Sequence, residues 1–229
     1  MHASTTAASH RKPRRGPHPR RVPRAIREEQ MLAAATRLFA ARGFHVASMD
    51  EIARASGITK PMLYAYFDSK EGLFDACMAK GERQLEEAVR EAALGAPSPE
   101  QRLWRGLVAV FRFFDENPDL FALGYPRGST SGTFVAAAAR GRESMARLLT
   151  ALLADTAVGA GVDPDAAREA EPLAHALTGA TIAVLSWSAD RPEEPRELHA
   201  LRLMNFAWMG LGNLAAGNLW IPPAEEGTA

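Results

Sequence analysis

The chain has 229 residues, 47% hydrophobic and 24% charged, with 27 basic and 27 acidic side chains that cancel to a formal charge of zero and a single cysteine. Such a composition excludes a bulk polycation or polyanion and excludes wholesale disorder. Cys77 alone cannot form an intramolecular disulfide, which fits a reducing, cytoplasmic location.

The zero conceals a division. Up to Phe67 the chain carries twelve Arg or Lys against Glu28, Glu29, Asp50 and Glu51, a net of about +8, so the remainder carries about −8. A basic end joined to an acidic body points to one end that meets a polyanion and another with a separate task.

Residues 1–23 interleave Arg11, Lys12, Arg14, Arg15, Arg20 and Arg21 with Pro13, Pro17, Pro19 and Pro23, which predicts a disordered basic arm. Its paired arginines lack the apolar run that an export signal needs. From Arg24 the apolar spacing of Ile26, Leu32, Ala35, Leu38 and Phe39 predicts a helix that Gly43 ends. Ser48-Met-Asp-Glu51 is a capping box opening a short helix to about Ala55. Ser56-Gly57-Ile58 reads as a tight turn, and Thr59 can cap a third helix whose first turn tolerates Pro61. A fourth helix starts at Asp68-Ser69 and runs to about Leu94.

Helical signals continue beyond Pro97, with neither alternating strand patterns nor a repeat. Ser98-Pro-Glu-Gln101 opens a segment with Leu103, Leu107, Val110, Phe111 and Phe114, and Asn117-Pro118 stops it. After a short apolar piece from Leu120 to Tyr125 comes a Gly/Ser/Thr loop, 128–132, then helices over about 133–157, from Asp163-Pro164 to before Arg191, and over about 195–216. Stretches 172–189 and 203–224 contain no Asp, Glu, Lys or Arg. Pro172, His175, Asn205 and Asn213 argue against membrane spans, and burial on two sides explains such helices better.

Two short helices joined by a three-residue turn containing Gly make a helix-turn-helix. Ala53 permits close approach, Gly57 a left-handed turn, and Ile52, Ile58 and Leu63 form the buried side. That leaves Thr59, Lys60, Tyr64 and Tyr66 facing solvent.

With Leu38-Phe39, Gly43-Phe44, Ile52-Ala53, Ala55, Gly57, Leu63-Tyr64, Tyr66-Phe67, Ser69-Lys70-Glu71 and Leu73-Phe74 in this order, the segment over roughly 24–80 closely resembles the DNA-binding domain of the TetR family of bacterial transcriptional regulators. Behind the basic arm at 1–23, which the compact family core does not need, the resemblance implies an all-α protein: a helix-turn-helix domain at 24–84, and a C-terminal helical regulatory and dimerisation domain at 85–229. It implies that the helix from Thr59 enters the major groove of a palindromic operator, with Thr59, Lys60, Pro61 and Tyr64 nearest base edges or phosphates. Tyr66, Lys70 and Ser48 fall where such proteins contact the backbone. Hydroxyls, a helix N-terminus and lysine suit phosphate oxygens, whereas Lys60 can read guanine and Pro61 can meet a thymine methyl. A partly buried core role competes for Tyr64 and Tyr66, and a solvated charge for Lys60 and Lys70. The arm can reach the minor groove or add only diffuse attraction, and the resemblance does not choose.

The resemblance further implies a homodimer gated by a small-molecule effector, most simply a repressor released from DNA, with an activator or a regulator answering to a protein partner as the alternatives. Phe111, Phe114, Phe121, Tyr125, Met145, Trp187, Met204 and Trp208 are apolar pocket candidates; all except Tyr125 and Met204 are taken as site residues, together with His175 and Thr178 as orienting polar groups. Asn205 is a further polar candidate. Ala176, Gly179, Ala180 and Ala183 on one helix, and Ala207, Gly210, Leu211 and Leu214 on the next, suit a four-helix dimer interface. Such a dimer places two recognition helices about one DNA turn, ~34 Å, apart.

No cofactor, metal or membrane partner is expected, and the protein is nucleoid-associated when bound to DNA. Gly210-Leu-Gly-Asn-Leu-Ala215 satisfies a dinucleotide pattern but has no βαβ unit around it. No histidine pair has zinc-binding helical spacing, and no nucleophile elbow is present. Enzymatic activity therefore has no candidate cluster.

Overall fold

A computed structural model describes residues 23–125, 132–159 and 164–215; the expected basic arm up to residue 22 and loop residues 128–131 lie outside them. Among the described residues the regular elements are all helices: α1 Arg24–Arg42, α2 Met49–Ala55, α3 Lys60–Phe67, α4 Lys70–Ala93, α5 Pro99–Glu116, α6 Pro118–Gly124, α7 Gly132–Gly159, α8 Pro164–Ser188 and α9 Arg196–Ala215.

Short polar signals set the helix starts. The Glu51 amide donates to the Ser48 hydroxyl at 3.2 Å and the Ser48 amide donates back to the Glu51 carboxylate at 3.2 Å, so the capping box is closed. Ser69 accepts from the Gly72 amide at 2.9 Å to cap α4, and Ser98 accepts from Gln101 at 3.2 Å to cap α5. Thr59 departs from its expectation: it occupies the cap position of α3 in extended backbone, yet its side chain makes no capping bond. The piece after Pro118 is also more ordered than its composition suggested. It forms the seven-residue helix α6, and Asn117 joins it to α5 by donating its side-chain amide to the Phe113 carbonyl at 2.9 Å. Pro172 lies inside α8 without ending it.

Two backbone positions define the reading head. Gly57 sits at φ 66°, in the left-handed region that a side chain resists. Gly72 lies so close to the end of α3 that a Cβ there would stand 2.3 Å from the Phe67 carbonyl oxygen. The α3–α4 corner therefore requires glycine for space.

Two apolar clusters form the interior. The first gathers Met31, Phe39, Phe44, Ile52, Leu63, Leu73 and Phe74 from α1 to α4. Phe39, Phe44 and Phe74 meet pairwise at 5.4–5.7 Å between ring centroids. Each such buried side chain stabilises by roughly 1.5–3 kcal/mol. The second cluster gathers Val89, Leu103, Leu107, Phe111, Leu149, Leu177, Leu185 and Leu203 from α4, α5, α7, α8 and α9.

Helix α4 belongs to both. Leu73, Phe74, Cys77 and Met78 pack into the first cluster and Val89 into the second. The expected domain boundary at 84/85 thus falls inside one continuous helix. Leu123 of α6 and Ala137 of α7 join the first cluster, and the ion pairs Lys80–Glu29 at 3.0 Å and Arg140–Asp75 at 2.7 Å tie α1 and α4 to their neighbours.

Candidate functional site

The capped α2, the Gly57 turn and α3 place one polar face outward. Thr59, Lys60, Pro61 and Tyr64 are exposed on it, with Tyr64 at 40%. Lys60 is not a free cation: its Nζ donates to Asp50 Oδ2 at 2.8 Å, which raises its pKa. Both side chains of the pair are exposed, and solvent screens such an ion pair so that it adds little. Asp50 can therefore yield Lys60 to DNA.

Tyr66 differs from the solvent-facing expectation. It is half-buried against Phe67, with ring centroids 6.1 Å apart, and the Arg24 guanidinium lies 5.0 Å from its ring centre. The physical reason is helical phase: Tyr66 lies three residues from Leu63 and next to Phe67, on the flank of the buried side. Lys70 donates to the His45 carbonyl at 3.2 Å while its ammonium lies 4.7 Å from the Phe44 ring centre. That contact holds the loop between α1 and α2 against the start of α4. Arg42 pairs with Glu51, whose carboxyl is held below its ordinary range by the Ser48 amide first and by Arg42 beside it.

Cys77 is buried in the first cluster, its thiol 3.6 Å from the Leu32 carbonyl, and burial pushes its pKa up to about 11. It stays a protonated packing residue at neutral pH.

A second concavity lies in the body. A narrow cavity of about 60 Å³ is walled by α4, α5, α6, α7 and α8, with Met78, Leu85, Phe113, Phe114, Met145 and Thr178 among its lining. It shares Phe114, Tyr125 and Leu185 with an open groove of about 470 Å³ whose lining also includes the buried Phe111 and the half-buried Phe121. Five of the expected ligand residues line one or other of these spaces: Met145 and Thr178 the cavity, Phe111 and Phe121 the groove, and Phe114 both.

The other three do not line either space. His175 is exposed on α8, one turn from Thr178 but rotated toward solvent. Trp187 is 45% exposed and stacks under Arg191 at 4.0 Å. Trp208 packs partly buried against the second cluster. Asn205 is exposed and donates to Leu201, and Met204 is buried in the core. Sequence reasoning missed Glu82 and Gly141 in the cavity wall. The available signal was a carboxylate four residues after Met78 and three before Leu85, on the buried stripe of α4.

The proposed dimer residues also divide. Ala176, Gly179 and Ala183 are exposed along α8 and Ala180 is half-buried. Ala207 is instead 9% exposed and packed within the second cluster beside Leu203 and Met204, so it cannot face another subunit here. The outward large apolar residues described on α9 are Leu201, Phe206 and Met209, the last two exposed at 76% and 71%. Gly210, Leu211 and Leu214 lie in α9 with side chains outside the described residues. Among the described residues no cluster of His, Cys, Asp or Glu could hold a metal, and no helix is long and apolar enough to cross a membrane.

A capped helix, a Gly turn and a short outward helix on a shared core define a helix-turn-helix DNA-binding transcriptional regulator. The comparisons make this specific. Residues 31–77 match the family described as bacterial regulatory proteins, tetR family, and residues 99–210 match the tetracyclin repressor-like C-terminal domain. A solved TetR-like transcriptional regulator from Rhodococcus sp. RHA1 is 34% identical over 84% of this chain and 99% of that one, with a TM-score of 0.66. The chain belongs to the TetR family. It is 38% identical to the transcriptional activator FasR of Mycolicibacterium smegmatis over 45% of this chain and 47% of FasR. It is 32% identical to the regulator EthR of the same organism over 50% of this chain and 52% of EthR. The chain thus spans about half the length of the curated relatives it matches.

Proposed function

We propose that the protein is a homodimer that binds a near-palindromic operator through Ser48, Thr59, Lys60, Pro61, Tyr64, Tyr66 and Lys70, and that an apolar ligand in the body controls this binding. The observation that carries the reading is the double membership of α4. Its first turns pack under the reading head, and Met78, Gly81, Glu82, Leu85 and Glu86 wall the cavity. A space of about 60 Å³ holds a few waters, well short of the roughly 300–1,000 Å³ of ordinary ligand sites. A ligand must therefore part the walls, and parting them displaces the helix on which the head rests. Differential affinity for the parted and closed states is then the coupling energy.

The exposed small residues of α8, with Phe206 and Met209 on α9, are the surface for self-association. The head lies before about residue 84 and the regulatory body after it, with Leu123 and Ala137 of the body packed into the cluster of the head. Repression by release is the simplest output of such gating; activation is the second reading, because FasR is named an activator.

Selection of sites from a random DNA pool, followed by anisotropy titrations, tests the proposal. The expected result is an inverted repeat, and a loss of at least about tenfold in affinity for Lys60→Ala and Tyr64→Ala. Lys60→Ala also lowers the salt slope by about one if it contacts phosphate. Selection of no shared sequence overturns the operator reading, and intact affinity in both variants overturns the contact assignment.

A further inference from the structure

The cavity wall carries one buried polar atom without a hydrogen-bond partner and two further polar side chains. Thr178 is 3% exposed, and its hydroxyl has no hydrogen-bond partner. Its neighbour Thr181 behaves as a helical threonine ordinarily does, donating to the Leu177 carbonyl at 2.7 Å. Glu82 and Tyr125 line the same cavity. Their Glu82 Oε1 and Tyr125 hydroxyl oxygens converge on Gly141, 3.7 and 3.8 Å from where a Cβ would stand.

Two of the cations near Glu82 are paired with other carboxylates, Arg140 with Asp75 at 2.7 Å and Arg147 with Glu143 at 3.4 Å. Burial pushes the Glu82 carboxyl above its ordinary range, against the pull of Arg140, Arg147 and Arg83. Burial likewise raises the Tyr125 phenol. A carboxylate in the wall of a mostly apolar cavity, with a second carboxylate, Glu86, in the same wall, is costly unless a donor, best a charged one, arrives to meet it.

Resting on the reading of this cavity as the effector site, we propose that the effector is an amphiphile with an apolar body and one protonated amine head, which Glu82 and Tyr125 receive beside Gly141. The ammonium donates to the Glu82 carboxylate and the Tyr125 hydroxyl, and a polar atom further along the molecule meets Thr178. An anionic head is disfavoured, because it would face both Glu82 and Glu86 in the same wall. A neutral hydroxyl can donate to Glu82 but leaves its charge unbalanced.

Octylamine, octanol and octanoate share a chain and differ in the head. With the full-length protein, calorimetric titration and operator release are measured for each. Octylamine is expected to bind at least about tenfold more tightly than octanol, with octanoate weakest. Glu82→Gln should bring octylamine down to the level of octanol. Gly141→Ala places a methyl between the two polar atoms without a clash and should weaken octylamine selectively, with circular dichroism unchanged. Octanol or octanoate binding as tightly as octylamine, with release intact, overturns the head-group assignment and leaves ligand gating standing. Binding by none of the three overturns the cavity as the effector site as well.

Discussion

The reading head and the regulatory body are built from the same kind of helix but finished differently. In the head, Phe39, Phe44 and Phe74 close a small core, Ser48 and Ser69 satisfy helix starts, and Lys60, Lys70 and Arg42 each have a partner. The two buried side-chain polar atoms without a partner among the described residues, Thr178 Oγ1 and His199 Nε2, both belong to the body. So does the cavity. A surface that reads DNA must hold its groups in register, whereas a sensor must retain unspent contacts for something else to complete.

The largest test of this contrast is a pair of truncations. Phe74→Ala, in the closed core at 0% exposure, should cost about 3–5 kcal/mol in urea denaturation. Phe113→Ala, at the cavity wall, should cost clearly less, because that side chain already faces empty space. Equal losses would remove the distinction. Next in size, Ser48→Ala should destabilise the head by about 1 kcal/mol by opening the capping box, measured as a fall in the denaturation midpoint with unchanged m.

Thr178→Val should act in the opposite direction. Replacing an unsatisfied buried hydroxyl by a methyl of similar shape should raise stability by up to ~1 kcal/mol while weakening effector response. A destabilised variant would mean that the hydroxyl has a partner in solution.

The smallest effect is a pH dependence. His199 is fully buried, with its ring centre 5.6 Å from Trp187 and 6.4 Å from Phe111. Burial lowers its pKa below the ordinary 6.5, with Glu194 opposing and Arg202, Arg196 and Arg191 reinforcing. The unfolded chain then takes up the proton first as pH falls. Stability from this group is complete above 6.5 and declines as pH drops through and below it. Denaturation between about pH 8 and pH 5 should show that slope, and His199→Phe should flatten it.

The local code of the head was legible because its determinants are neighbours in the chain. The Ser48–Glu51 box, the Gly57 turn, Pro61 in the first turn of α3 and the Ser69 cap each act within four residues. Helix existence in the body was legible for the same reason, from Ser98 and from the Pro and Gly breaks. The order of residues by itself therefore determined an all-helical chain, a helix-turn-helix and its outward residues, with Tyr66 the exception: it packs against the first cluster on the flank of the buried side, and Arg24, forty-two positions away, lies over its ring.

What faces what in the body was decided only by tertiary packing. An apolar helix has several apolar faces, and its sequence does not say which meets a neighbour, a cavity or another subunit. Ala207 turns inward while Phe206 and Met209 turn out, and Thr178 lines the cavity while His175, one turn away, does not. Glu82 looked like one more solvated charge on α4. It became the chemical centre of the cavity only when α6 and α7 brought Tyr125 and Gly141 against it, because burial and the company of distant groups, not spacing along one helix, set what a carboxylate can do.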